Sequence, residues 1–172
     1  MSGTEARRLV LGCVTALIAV GSIAPASASE LRIGDQTQSP NVLYSQAVFH
    51  PPGGGCELAV VDGLWGFPTP LAVPAGAHRA TIVYRRGARP DRVKVTASHA
   101  VDRFGKPSGP RDSLEAQLEP IREPGGGTAG WRLTFTVEPP PTYFLVVSAR
   151  WPPDRRCGIA GLSRVTYSVI AG

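Results

Sequence analysis

The segment WRLTFTVE alternates without a break, Trp131, Leu133, Phe135 and Val137 on one side against Arg132, Thr134, Thr136 and Glu138 on the other. Successive side chains of an extended chain point to opposite faces, so this run buries one face and wets the other only as a strand of an antiparallel sheet. RVKVTASHAV repeats the pattern, with Val93, Val95, Ala97, His99 and Val101 opposed to Lys94, Thr96, Ser98 and Ala100, and SRVTYSVI sets Val165, Tyr167 and Val169 together. ATIVYRR and TYFLVVSARW are apolar on both faces, as central strands can be. NVLYSQAVF, ELAVV and SLEAQLEPI are shorter strand candidates, with a short helix competing over Ser113 to Leu118. RRGARPD, RFGKPSGPRD, REPGGGTAG, EPPP and PPDRRCG lie between the runs and carry turn chemistry. The expected fold is all-β, an antiparallel sandwich of about seven to nine strands.

The N-terminus predicts export. Arg7 and Arg8 precede the apolar run LVLGCVTALIAVGSIA, which is short for a bilayer span, and Ala26 to Ala28 supply a small-residue cleavage site. Residues 1–28 therefore read as a signal peptide and 29–172 as one domain, with N-terminal strands and loops over 29–75 and the main sandwich strands over 76–172. The paired arginines also suit a twin-arginine signal. Cys13 sits too early in the apolar run for a lipoprotein anchor. No second apolar run of membrane length follows, so the expected location is secreted or cell envelope.

Beyond residue 28 there are sixteen basic and twelve acidic residues, a net of +4, and only Lys94 and Lys106 are lysine. Arginine-for-lysine usage with abundant glycine, alanine and proline is what GC-rich coding produces, so the charge by itself names no partner. Removal of the signal leaves Cys56 and Cys157, an even count in an oxidising compartment, which predicts one disulfide across 101 positions. Free thiols or a metal pair are the alternatives, and neither has supporting ligand spacing.

EPPPTYFLVV, around Tyr143, resembles the E–F corner of an immunoglobulin-like domain of an exported bacterial protein. The resemblance implies that Tyr143 bonds back across the corner. Leu145 stands where antibody domains carry a cysteine, so their intersheet disulfide is not implied. If ATIVYRR, RVKVTASHAV, TYFLVVSARW and the C-terminal run are strands B, C, F and G, the B–C and F–G turns share one pole. Arg85, Arg86, Arg89, Arg92, Arg150, Arg155 and Arg156 then gather around Trp151 as a candidate anion site, with the Cys56 to Cys157 bond restraining the F–G turn. An anionic envelope polymer or a secreted protein is the partner this implies, and nucleic acid is not expected.

Sharper motifs dissolve on inspection. GGGTAG, Gly125 to Gly130, has the letters of a dinucleotide loop but leads into a strand rather than a helix. GLSRV lacks the second glycine of a nucleophile elbow. PPGGGC and Pro139 to Pro141 do not repeat and read as connectors. His50, His78 and His99 lack metal-ligand spacing, and nothing in sequence places Ser108, Ser113 or Asp102 beside His99. Trp131 reads as core, while Trp65 and Trp151 are the aromatics open to a ligand. No catalytic residue, cofactor or metal follows. The expected function is a non-enzymatic interaction or structural module; the alternatives are a small secreted hydrolase with an unrecognised site and a carrier with an intersheet cavity.

Overall fold

A computed structural model describes residues 30–51, 53–85, 88–139 and 142–172. The expected signal peptide and Arg86 lie outside the described residues. Every regular element among the described residues is a strand. One sheet, the first, has five strands in the order β2 (Gln36–Gln38), β1 (Leu31–Ile33), β6 (His78–Arg85), β10 (Thr128–Val137), β9 (Ala116–Arg122). The second has seven, in the order β4 (Glu57–Asp62), β3 (Asn41–Phe49), β12 (Ala160–Ala171), β11 (Thr142–Pro153), β7 (Arg92–Val101), β8 (Pro107–Leu114), with β5 (Leu71–Val73) also paired to β12. All pairings are antiparallel except β5 with β12. No helix among the described residues is long and apolar enough to cross a membrane.

The alternating runs form the core as their pattern requires. Leu133, Phe135 and Val137 of β10 and Ala80, Ile82 and Tyr84 of β6 meet Val95, Val147, Val165, Tyr167 and Val169 of the other sheet in one buried cluster. Burial pushes the phenols of Tyr84 and Tyr167 well above the usual tyrosine range, because the interior disfavours their charged forms. The doubly apolar runs are central, β6 between β1 and β10 and β11 between β12 and β7.

The described strands number twelve, more than expected, for two physical reasons. Three-residue pieces such as β1, β2 and β5 are too short to show periodicity. SLEAQLEPI is also not one strand: β8 ends at Leu114 in one sheet, Glu115 makes the corner, and β9 starts at Ala116 in the other, with no helix. RFGKPSGPRD is only partly turn, since Pro107 to Asp112 pair with β7 at the edge, where proline is tolerated.

His99 keeps the side of β7 that carries Val95 and Ala97, but it lies exposed near the end of the strand, beside Tyr143. The register shift opposite Ser98 and Ala100 puts its extra residue in β8, so Ser98 stays on the outer face with Lys94 and Thr96. The buried Ser98 hydroxyl donates to the carbonyls of Ala100 at 2.9 Å and Ser108 at 3.0 Å. Tyr143 makes no bond back across its corner among the described residues; its ring lies 4.9 Å from that of His99.

Cys56, just before β4, is bonded to Cys157 in the β11–β12 turn, with Cα atoms 6.0 Å apart. That turn is closed by Asp154, whose carboxylate accepts from the backbone N–H groups of Arg156 at 2.8 Å and Cys157 at 3.0 Å. These two bonds, with a contact to His50, hold the Asp154 carboxyl below the usual carboxylate range.

Candidate binding groove on the seven-stranded sheet

The expected pole exists: Arg92 pairs with Arg150, and the Asp91 N–H donates to the Arg150 carbonyl at 2.9 Å, so the β6–β7 and β11–β12 turns are neighbours. The arginines do not gather around Trp151, however. Trp151 is half-buried against the core, its ring edge-on to Tyr84 at 5.6 Å. Arg89 covers Trp131 instead, 5.6 Å from the ring centre. Arg85 is exposed at the end of β6, in the five-stranded sheet, while Arg155 and Arg156 are exposed in the turn. Alternation decides the rest: Arg92 and Arg150 fall on residues whose side chains leave the sandwich through the outer face of the seven-stranded sheet.

On that face they join cations that sequence reading did not group. Lys94, Ser148 and Arg164 form one cross-strand row of β7, β11 and β12; Arg92, Arg150 and Leu162 form the next. A concavity of about 580 Å³ opens over these two rows, with Tyr44, Asp62 and Trp65 on its wall. A second, of about 280 Å³, continues past Trp65 over Thr96 and Val146 to Lys106 and Arg111. Lys94, Ser148, Arg164 and Trp65 line both, so the two make one groove with Trp65 at its middle. Six cations line the groove against one carboxylate, Asp62, and none of them forms a salt bridge among the described residues.

The wall is a strap, residues 63–69, laid over the sheet between β4 and β5. Its backbone carbonyls are held from below. Asn41 Nδ2 donates to Leu64 at 3.3 Å and Gly66 at 3.0 Å, and Thr166 Oγ1 donates to Gly66 at 2.7 Å. Ser168 Oγ donates to Pro68, and Gln38 Nε2 donates to Thr69 at 2.6 Å. Phe67 packs on Phe144, ring centres 4.9 Å apart. The strap explains why Thr166 and Ser168, polar residues on the outer face of β12, are fully buried. Gly63 enters it so tightly that a Cβ would lie 2.0 Å from the Val42 carbonyl oxygen.

Two histidine–carboxylate pairs lie elsewhere. His99 Nε2 is 3.6 Å from Asp112, with its Nδ1 3.3 Å from the Thr142 carbonyl, and both side chains are open to solvent. Asp112, not Asp102, is the neighbouring acid, and among the described residues no serine hydroxyl bonds the ring. His50 contacts Asp154 at 3.2 Å beside the disulfide; with both sulfurs bonded to each other, neither is a thiolate ligand.

The alternation of RVKV and SRVT puts Lys94 and Arg164 on polar faces, and Trp65 stands in a loop-like stretch; that β7, β11 and β12 lie side by side in register is what assembles them. No family model matches the chain, and no curated protein or solved structure does either.

Proposed function

We propose that this chain is an exported, immunoglobulin-like, non-enzymatic binding module whose ligand is a linear polyanion of the cell envelope. Strand order supports the architecture: β1-β6-β10-β9 follows A-B-E-D, and β12-β11-β7-β8 follows G-F-C-C′. The β3–β4 hairpin and the strap are then an insertion that widens the G-F-C sheet and walls the groove. The disulfide suits an oxidising, extracellular setting.

The observation that carries the ligand class is the groove itself, six cations without a salt bridge among the described residues and a half-buried tryptophan against one carboxylate. Codon bias puts arginine on a surface anywhere; it does not place lysine and arginine in adjacent cross-strand rows beneath an aromatic wall. Guanidinium forks and ammonium groups on a rigid sheet offer carboxylate, sulfate or phosphate groups charge-assisted bonds with little ordering of the protein.

Binding to immobilised heparin and to polyphosphate over a salt series tests the reading, the two polymers separating a carboxylate and sulfate ligand from a phosphate one. Lys94→Gln with Arg164→Gln is expected to lower affinity about tenfold at low salt, at about 0.7 kcal/mol for each exposed charge. The salt slope is expected to fall with it. Unchanged affinity in the double variant overturns the assignment.

A further inference from the structure

A sandwich that stays monomeric blocks the free edges of its sheets, because an exposed edge presents unpaired N–H and C=O groups to any passing strand. The two sheets here end on β2 and β9, and on β4 and β8. β9 carries Pro120, β8 carries Pro107 and Pro110, and β2 is three polar-flanked residues long. Each is protected by the ordinary devices.

β4 is not. Its sequence is ELAVVD, six residues without proline, glycine or a basic side chain. Leu58, Val60 and Val61 are 47%, 48% and 50% exposed, on both faces of the strand, and Leu64 just beyond is 90% exposed. Together they make a continuous apolar edge of the kind that marks an interaction site. The edge is also held rigid at both ends. Cys56, the residue before it, is tied to Cys157, and the Gly63 N–H, just after it, donates to the Leu43 carbonyl at 2.9 Å.

We propose that the free edge of β4 takes an extended segment of another protein as an additional strand, apolar at its centre and basic at both ends. The charges select this occupant. Glu57 and Asp62 bracket the apolar residues, both are exposed, and neither forms a salt bridge among the described residues. A second copy paired antiparallel along the whole of β4 sets Glu57 opposite Asp62 at each end, two like-charge pairs that disfavour it. A segment ending in lysine or arginine sets opposite charges there instead. Main-chain bonds along the edge supply affinity, and the end charges supply selectivity. The clamped strand loses little freedom on binding. This edge adjoins the basic groove, whose wall Asp62 also lines, while Glu57 and the apolar residues lie outside it.

The test is a titration of ¹⁵N-labelled protein with the peptide Lys-Val-Val-Thr-Val-Lys, as long as β4, and with its twin carrying glutamate at both ends. The lysine-ended peptide is expected to shift the amides of residues 57–62 and slow their hydrogen exchange, and the glutamate-ended one to leave them unmoved. Val60→Lys, which keeps the backbone bonds to β3, is expected to weaken the lysine-ended peptide at least tenfold. Glu57→Lys with Asp62→Lys is expected to reverse the preference between the two peptides. The proposal is overturned if the β4 amides do not respond at millimolar peptide, if both peptides bind alike, or if the shifts map to Lys94 and Arg164. A concentration-dependent dimer abolished by Val60→Lys also overturns it, in favour of a second copy.

Discussion

Lys94 of β7 and Arg164 of β12 lie opposite the same residue, Ser148 of β11, so the two cations face each other across one strand. Strands are spaced about 4.8 Å apart, which puts their backbones about 10 Å apart, close to the screening length at moderate salt. The pair is mildly repulsive when alone. An anion seated over Ser148 reaches both, converts repulsion to attraction, and makes this row the centre of the groove.

Groove and pole separate by mutation. Arg92→Gln with Arg150→Gln is expected to lower retention on heparin by about as much as removing Lys94 and Arg164, while Arg155→Gln with Arg156→Gln leaves most of the affinity, because the turn arginines line neither concavity. Elution salt concentration on one column compares the variants. Equal losses from both pairs would return the site to the pole.

Reduction of the Cys56 to Cys157 bond is expected to lower stability by up to about 4–5 kcal/mol, the loop-closure value for a span of this length, without loss of the sheets. The strands carrying the core cluster are complete without either cysteine. Thermal unfolding followed by far-ultraviolet circular dichroism, with and without a dithiol, checks both halves of this statement.

Asn41→Ala removes both bonds to the strap carbonyls of Leu64 and Gly66, and Gly66 keeps its bond from Thr166. About 1–2 kcal/mol of stability is expected to go. Since the strap positions Trp65, polyanion affinity should fall as well, although Asn41 lines neither concavity. Denaturant unfolding and heparin binding on the same variant measure the two effects.

Gly130 sits in β10 opposite Arg85, where a Cβ would lie 2.4 Å from the backbone oxygen of Tyr84. Gly130→Ala has to push apart two paired backbones, not a flexible side chain. A loss of about 1–3 kcal/mol is expected, read as a lowered denaturation midpoint with an unchanged slope.

Asp154 sets an acid dependence. Its carboxyl is held low in the folded chain, chiefly by the N–H groups of Arg156 and Cys157, so its contribution is fully present above the ordinary aspartate value of about 3.9. It is lost as pH falls through the lower, folded value. Melting temperature of the wild type should therefore exceed that of Asp154→Asn at neutral pH, with the gap closing on acidification below about pH 4. A gap that stays constant would place the effect elsewhere.

Alternation determined a great deal by itself. The inward faces of β10 and β12 and the central character of β6 and β11 follow from which side chains must leave water, a decision made residue by residue. The cysteine pair was legible for a similar reason, Cys56 and Cys157 being the two cysteines that follow the expected signal peptide. What alternation does not encode is the lateral neighbour of each strand, or a break in register. The bulge in β8 opposite His99, the crossing at Glu115 and the strap that buried Thr166 and Ser168 all depend on contacts between separate segments. The groove belongs to this second class. Lys94, Arg150 and Arg164 are ordinary solvent-facing charges in the sequence, and only the packing of β7, β11 and β12 side by side beneath Trp65 makes them one surface.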